Sequence, residues 1–259
     1  MGTEAVSGVL MGLCVEFKNA LLRFFEGERF DLRIDAQERV GIVGKSGSGK
    51  TQLLRTILGV QKLQEGIVKV GDFVHPCKNY KAFLRHVSFV PQDVYGSLNP
   101  CQKVVDAVIE PMLVHRMVRR FEKRAYALEL LNKVGLGEEY LLRTPRQLSL
   151  GQCQRVLIAR AISTKPDVIL ADEPFSGLDP VNANNMIELL QLAWRETGCT
   201  LIVVSHSLLL ISGLCTRIVV LDGGRPVEDG KPLDLLRAPK TDAGSALVQA
   251  ERWLMAGVL

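Results

Sequence analysis

Between residues 9 and 43 apolar and polar positions alternate, with β-branched and aromatic side chains on the apolar side. Segments 9–17, 30–34 and 40–43 read as strands, and the pattern predicts an antiparallel arrangement around the last of them. Residues 66–74 continue the alternation, and 87–90 form a further short strand. From 102 to 164 the period lengthens to that of amphipathic helices, with breaks at Gly135-Leu136-Gly137 and Thr144-Pro145. Three short apolar runs follow, at 168–171, 201–204 and 218–221, separated by helical stretches, notably 182–196. Short buried strands alternating with helices imply a parallel sheet covered on both faces. The tail, 239–259, reads as a turn followed by a short helix, and the chain shows no internal repeat.

Chemistry enters at Gly44-Lys45-Ser46-Gly47-Ser48-Gly49-Lys50-Thr51, which has the spacing of a phosphate-binding P-loop. Residues 39–43 read as the buried strand before it and 52–58 as the helix after it, with Gly59 as the cap beyond. A glycine-rich turn leading into a helix N-terminus points backbone N–H groups and the positive end of the helix dipole at an anion. Lys50 is placed to reach the β- and γ-phosphates of a nucleotide, and Thr51 to offer a hydroxyl to Mg²⁺. A plain flexible Gly/Ser turn would need neither the flanking strand and helix nor the Lys-Thr pair.

The expected fold is therefore α/β: a P-loop NTPase core with a parallel sheet, an N-terminal antiparallel β subdomain and an inserted helical subdomain. Residues 1–259 are read as one domain, in which 9–91 and 165–236 form the core with its β subdomain, 92–164 the helical insertion and 237–259 the tail.

Bulk composition narrows the classes. A chain of 259 residues that is 47% hydrophobic supports one large core. A net charge of +4, from 32 basic and 28 acidic residues, is too mild to argue for nucleic acid, and none is expected as a partner. The tightest basic cluster, Arg116, Arg119, Arg120, Lys123 and Arg124, reads as the solvated face of a helix. The six cysteines (Cys14, Cys77, Cys101, Cys153, Cys199 and Cys215) form no C-x-x-C pair, and Cys14, Cys153 and Cys199 lie in apolar segments; buried free thiols in a reducing compartment are the simplest reading. No apolar run reaches transmembrane length and no secretory signal is evident, so membrane association is expected only through a partner.

Four further elements follow the P-loop in order. Asp167-Val168-Ile169-Leu170-Ala171-Asp172-Glu173 is an apolar strand ending in two carboxylates. There Asp172 suits Mg²⁺ and Glu173 suits polarisation of an attacking water, although an acidic strand end that caps the next segment fits as well. Leu148-Ser149-Leu150-Gly151-Gln152 precedes Gln154-Arg155 and a helix to Ile162; it is either a second anion site or an ordinary N-cap by Ser149. Gln92 follows the 87–90 strand. Ser176-Gly177-Leu178-Asp179 comes soon after Glu173, and His206 follows the 201–204 strand. A lone Gln or His is commonly structural; the C-terminal ends of strands in an open α/β sheet are where ligands bind.

This order of P-loop, Gln92, LSLGQ-x-QR, ILADEP, SGLD and His206 resembles the ATPase subunit of ABC transporters, over about residues 9–236. The resemblance implies ATP and Mg²⁺ as ligands, and two subunits packed head to tail with ATP between the P-loop of one and the LSLGQ segment of the other. Lys50 and the P-loop residues Gly44 to Thr51 would then hold the phosphates. Ser149, Gly151 and Gln152 would face the γ-phosphate in the partner's site. Gln92 would sense Mg²⁺ and link to the membrane domain, His206 would touch the γ-phosphate, and Asp179 would contact the opposing subunit. Catalysis would rest on Glu173, His206, Gln92 and Lys50, and the metal on Thr51, Gln92 and Asp172. Two departures stand out. The family has glycine where Leu150 stands, so leucine adds bulk where the opposing nucleotide would dock. The aromatic that stacks on adenine aligns near Leu21, with Phe24 or Phe25 as substitutes and core packing as their other role.

Pro91-Gln92-Asp93-Val94-Tyr95-Gly96-Ser97-Leu98-Asn99-Pro100 is similar to the corresponding stretch of the dipeptide, oligopeptide and nickel import group, as is the Pro239 tail. The absence of a cysteine-bearing segment after Cys215 favours the short nickel-type or metal-chelate-type members. That group implies a second, different ATPase subunit, two integral-membrane permeases, a solute-binding protein acting through them, and a peripheral position on the cytoplasmic face of the cell membrane. ATPase subunits of the carbon–phosphorus lyase complex resemble the same group, which leaves a soluble enzyme assembly as the alternative. A chromosome or DNA-repair ATPase is disfavoured: no long heptad insertion separates the halves.

Overall fold

The computed structural model describes residues 12–256, with side chains through residue 253. Two sheets organise it. A four-stranded antiparallel sheet runs β2-β1-β4-β5, from β1 (Val15–Leu21), β2 (Phe30–Ile34), β4 (Glu65–Val70) and β5 (Phe73–Val74). A six-stranded sheet runs β10-β9-β3-β8-β7-β6, from β3 (Arg39–Val43), β6 (Val87–Val90), β7 (Val168–Asp172), β8 (Thr200–Ser205), β9 (Arg217–Asp222) and β10 (Arg225–Gly230). The larger sheet is parallel except for its β9–β10 hairpin. The helices are α1 (Lys50–Ile57), α2 (Tyr80–His86), α3 (Val104–Val114), α4 (Lys123–Lys133), α5 (Leu150–Ile162), α6 (Pro180–Thr197), α7 (Leu208–Ser212), α8 (Pro232–Arg237) and α9 (Asp242–Ala256).

The parallel sheet splits the interior into two cores, because successive side chains on a strand face opposite ways. Ile169 and Ala171, Leu201 and Val203, and Ile218 and Val220 join a cluster with the apolar faces of α3 to α6. Their neighbours Val168 and Leu170, Ile202 and Val204, and Val219 and Leu221 join a second cluster, where Leu53, Leu54 and Ile57 of α1 lie against the buried faces of β1, β2 and β4. Strands covered on both sides have no polar alternation, hence the unbroken apolar runs.

Two expectations are corrected here. The strand expected at 9–17 begins at Val15 and runs on to Leu21 through an irregularity between Phe17 and Ala20, where Asn19 takes a left-handed φ of 49°; residues 9–11 lie outside the described residues. The strand at 39–43 does not sit among antiparallel neighbours. A turn after β2, with Gln37 at φ 63° and the Glu38 N–H on the Asp35 carbonyl, carries the chain into the other sheet, where β3 pairs in parallel with β8 and β9. The other strand expectations stand, the 66–74 segment folding into β4 and β5 about Gly71.

The helical middle departs from expectation at its basic cluster. After α3 the chain turns at Arg116 (φ 56°), and the Met117 N–H returns to the Met112 carbonyl. Val118 then drops into the core, 9% exposed. Arg116, Arg119 and Arg120 therefore occupy a loop, not the face of a helix; α4 starts at Lys123. A helix continued from α3 would stack Arg116 against Arg119 and Arg120 at i+3 and i+4, where like charges repel, whereas the loop buries Val118. Cys153, Cys199 and Cys215 are buried, while Cys14 and Cys77 are half-buried and Cys101 is exposed. Burial pushes the Cys199 thiol up to about 11 and that of Cys215 up to about 12, which keeps both protonated at neutral pH.

Gly41 leaves no room for a side chain: a β-carbon there would lie 2.1 Å from Cγ2 of Ile211 on α7. Gly41→Ala is expected to push α7 off the sheet and destabilise the fold by about 1–3 kcal/mol, read as a lower urea midpoint with an unchanged slope. An unaltered midpoint would show that α7 is not anchored there.

Candidate nucleotide-binding site

The C-terminal edge of the parallel sheet gathers four loops. The P-loop follows β3, Glu173 follows β7, His206 follows β8, and Gly223-Gly224 follows β9. The first three, together with the Gln92 loop after β6, border a cleft of about 390 Å³ lined by Gly49, Lys50, Thr51, Gln92, Glu173 and His206, among others.

The P-loop glycines have distinct reasons. Gly47 and Gly49 hold φ values of 81° and 101°, and Gly49 is the N-cap of α1. A β-carbon on Gly44 would sit 2.3 Å from the Leu221 carbonyl oxygen and 2.5 Å from Oγ of Ser48. Two hydrogen bonds brace the turn: Ser48 N–H to the Lys45 carbonyl at 3.1 Å and Gly224 N–H to the Ser48 carbonyl at 3.1 Å. The Gly223-Gly224 loop was not singled out in the sequence; its signal was a glycine pair directly after an apolar strand. Lys50 folds back, its Nζ donating to the carbonyls of Gly44 (2.7 Å) and Lys45 (2.9 Å). Burial lowers its pKa, and the charges of Glu173 and Asp172 oppose that shift. Oγ of Ser48 and Oε1 of Gln52 are buried without a hydrogen-bond partner among the described residues. Unpaired buried polar atoms are costly, and here they flank a cradle shaped for an anion.

At the end of the P-loop, the Thr51 hydroxyl donates to Oδ1 of Asp172 at 3.2 Å. Desolvation raises the Asp172 pKa; the Thr51 hydrogen bond lowers it, and Glu173 raises it. A buried carboxylate and a hydroxyl side by side are hard oxygen donors that suit Mg²⁺, which takes few protein ligands and shares the rest of its sphere with phosphate and water. Glu173 holds a left-handed φ of 46°, uncommon for a residue with a β-carbon. That turn aims its carboxylate at His206, whose Nδ1 lies 2.8 Å from Oε2 while its backbone N–H donates to the same oxygen at 3.3 Å. Gln92 donates from Nε2 to Oγ of Ser176 at 3.2 Å, across the mouth of the cleft.

Ser149, Leu150, Gly151, Gln152 and Asp179 are not among the residues lining this cleft. Ser149 and Gln152 close a reciprocal capping box on α5, with Gln152 N–H to Ser149 Oγ at 3.3 Å and Ser149 N–H to Gln152 Oε1 at 3.0 Å. Asp179 caps α6, accepting from the N–H groups of Val181 and Asn182. Leu150 is half-buried against the larger apolar cluster, so its bulk is seated within the chain. Gly151 has no such reason: a β-carbon there would meet only Oδ1 of Asn182, at an ordinary 3.8 Å. Leu21, the position first aligned with the base-stacking aromatic, is 9% exposed in β1. Phe25 lines the cleft and lies against Gly49 and Gly224, whereas Phe24 is 76% exposed beside Arg23.

A second, more apolar groove of about 510 Å³ adjoins the Gln92 loop; Leu84, Phe89, Pro91, Val114 and His115 are among its walls. Arg160 of α5 bonds the Ser97 carbonyl (3.2 Å) and Glu110 of α3 (3.2 Å), which ties this loop to the helices.

Comparison with known proteins agrees with this geometry. A family model described as ABC transporter matches residues 28–176. The nickel import ATP-binding protein NikE of Pseudomonas putida is 36% identical over 215 residues, covering 82% of this chain and 78% of its own. The oligopeptide transport ATP-binding protein OppF of Lactococcus lactis is 34% identical over 213 residues (81% and 67%), and the methionine import ATP-binding protein MetN 1 of Burkholderia pseudomallei 36% over 245 residues (90% and 70%). Among solved structures, the dimeric ATP-binding cassette MJ0796, in a post-hydrolysis state bound to ADP and Pi, superposes with a TM-score of 0.71 at 30% identity, covering 84% of this chain and 98% of that one. The chain belongs to the ABC transporter family and is one of its ATP-hydrolysing cassettes.

Proposed function

We propose that this chain is a motor subunit of a multi-subunit importer for nickel, another metal chelate or small peptides. In this reading it pairs head to tail with a second ATPase subunit beneath two integral-membrane permeases fed by a solute-binding protein, at the cytoplasmic face of the membrane. Residues 92–164 act as a helical arm inserted into the core. The observation that carries the paired arrangement is Gly151. Glycine in a helix costs up to about 1 kcal/mol relative to alanine, and among the described residues a β-carbon at Gly151 would meet nothing closer than an ordinary 3.8 Å contact. The open backbone leaves room for a second body to approach closely, and the partner's nucleotide is such a body. The import reading draws on the named relatives, which are importer subunits. Among the described residues no helix is long and apolar enough to cross a membrane, which suits a subunit that meets permeases through a surface. The groove beside Gln92, apolar and coupled to α3 and α5 through Arg160, is the surface proposed for a permease segment.

In hydrolysis, the P-loop N–H groups and Lys50 bind the β- and γ-phosphates, and Lys50 leaves the Gly44 and Lys45 carbonyls to do so. Thr51, Asp172 and Gln92 would hold Mg²⁺, which supplies neutralising charge to the phosphate oxygens when bound. Glu173 accepts a proton from the water that attacks the γ-phosphorus, the bond to the bridging oxygen of ADP breaks, and phosphate leaves. His206 holds the Glu173 carboxylate through its backbone and its ring, and its remaining ring nitrogen is free to face the γ-phosphate.

The assembly is tested by purifying the tagged chain from detergent-solubilised membranes. Two permeases and a second ATPase in fixed ratio are expected; recovery only from the soluble fraction, with enzymes of another assembly, would sink the importer reading.

Glu173→Gln is expected to cut steady-state hydrolysis at least about 100-fold while equilibrium binding of labelled ATP is kept. Lys50→Ala should instead weaken binding. Wild-type turnover in Glu173→Gln would remove Glu173 from the mechanism.

Gly151→Ala should leave the isolated chain as stable or more so, by up to about 1 kcal/mol, yet lower hydrolysis in the assembled complex at least about tenfold. Leu150→Gly should do the reverse, lowering stability by about 1 kcal/mol with little change in turnover. A marked gain in turnover from Leu150→Gly would show that the leucine obstructs the partner's site.

A further inference from the structure

The loop between α3 and α4 is built as a projection. Met117 and Val118 anchor its base in the core, the former through its N–H on the Met112 carbonyl at 2.8 Å. A tight turn then closes from Arg119 to Glu122: the Arg119 N–H donates to Oε2 of Glu122 at 2.8 Å, and the Glu122 N–H to the Arg119 carbonyl at 3.0 Å. At its tip stands Phe121, 78% exposed, second only to Trp253 among the large apolar side chains of the described residues. Arg119 lies 6.0 Å over its ring.

The charges around this tip divide in two. Lys123 is paired with Asp106 and Arg124 with Glu138. Arg116, Arg119 and Arg120 are exposed and form no ion pair among the described residues. The basic face continues onto α2, where Lys81 and Arg85 are exposed and, after burial, are the next causes that lower the pKa of His115 at the end of α3. Leu84, Phe89 and Val114 lie on the same side, in the wall of the groove proposed for a permease. A rigid convex turn offers no cleft to a peptide. An exposed ring flanked by unpaired arginines suits a soft anionic surface: the ring enters the headgroup region and the guanidiniums meet the phosphates.

We propose that the turn Arg116 to Phe121 is a membrane contact that reads anionic lipid headgroups and orients the subunit beside its permeases. This rests on the reading of the chain as a peripheral transport subunit. The contact acts without the permeases, so it is tested without them. The full-length wild-type protein, in low-salt buffer, is floated with vesicles of phosphatidylcholine alone or containing about one third phosphatidylglycerol. Binding to the anionic vesicles, lost at high salt, is expected. Each arginine near such a surface is worth roughly fivefold. The combined Arg116→Glu, Arg119→Glu, Arg120→Glu variant should therefore lose at least about tenfold in partitioning, with nucleotide affinity and hydrolysis unchanged as the proof of folding. Phe121→Ser should lose a smaller part, at low salt.

Wild-type protein that stays in the soluble fraction, binds phosphatidylcholine equally well, or floats undiminished after charge reversal overturns the proposal. So does protein that leaves the vesicles but binds a polyglutamate resin with the same arginine dependence, since the loop would then read an acidic protein segment. Failure here with permeases recovered from membranes removes only the lipid contact; failure to recover permeases removes the importer reading.

Discussion

The site depends on one constraint, the parallel register of β3 between β8 and β9. Val43 stands level with Ser205 on one side and Val220 on the other, and β7 continues the row with Asp172 level with Val204. Because these strands run the same way, the loops that leave them emerge along one edge. The P-loop, Glu173, His206 and the Gly223-Gly224 turn are neighbours for that reason, although they span much of the chain. The backbone hydrogen bonds of a sheet covered on both faces are hard to break one at a time, which makes the edge a rigid platform.

On that platform the reactive groups are held by interactions that constrain and restrain them. Glu173 follows its strand in a left-handed turn, with its N–H on the Val204 carbonyl at 3.0 Å, and its carboxylate meets His206. Lys50, by contrast, is parked on carbonyl oxygens of its own loop, a charge satisfied in a way that phosphate oxygens can better. Among the described residues, Oγ of Ser48 and Oε1 of Gln52 are buried without partners beside the phosphate cradle.

The two cores lie back to back. α1 lies in the cluster shared with the antiparallel sheet, α5 in the cluster shared with α3 and α6, and the parallel sheet stands between them. The Gln92 loop is the bridge: it meets Ser176 at the cleft and, through Ser97 and Arg160, the helices that line the apolar groove.

Most of the strands, the P-loop and its helix, and the carboxylate pair at the end of β7 were legible in the chain, since buried strands read as apolar runs and a phosphate cradle needs glycines at fixed offsets. The basic loop was misread as a helix face because hydrophobic periodicity does not register that one valine is worth burying. The sheet assignment of β3 was out of reach too, since alternation along a strand says nothing of which strand pairs with it. Sequence by itself determined which residue types could bind and cleave a nucleotide, because those depend on local chemistry and spacing. Only the tertiary structure decided that Glu173 points at His206, that Leu150 packs inward while Gly151 stays open, and that Phe25 closes on Gly224, because each of these depends on contacts between segments far apart in the chain.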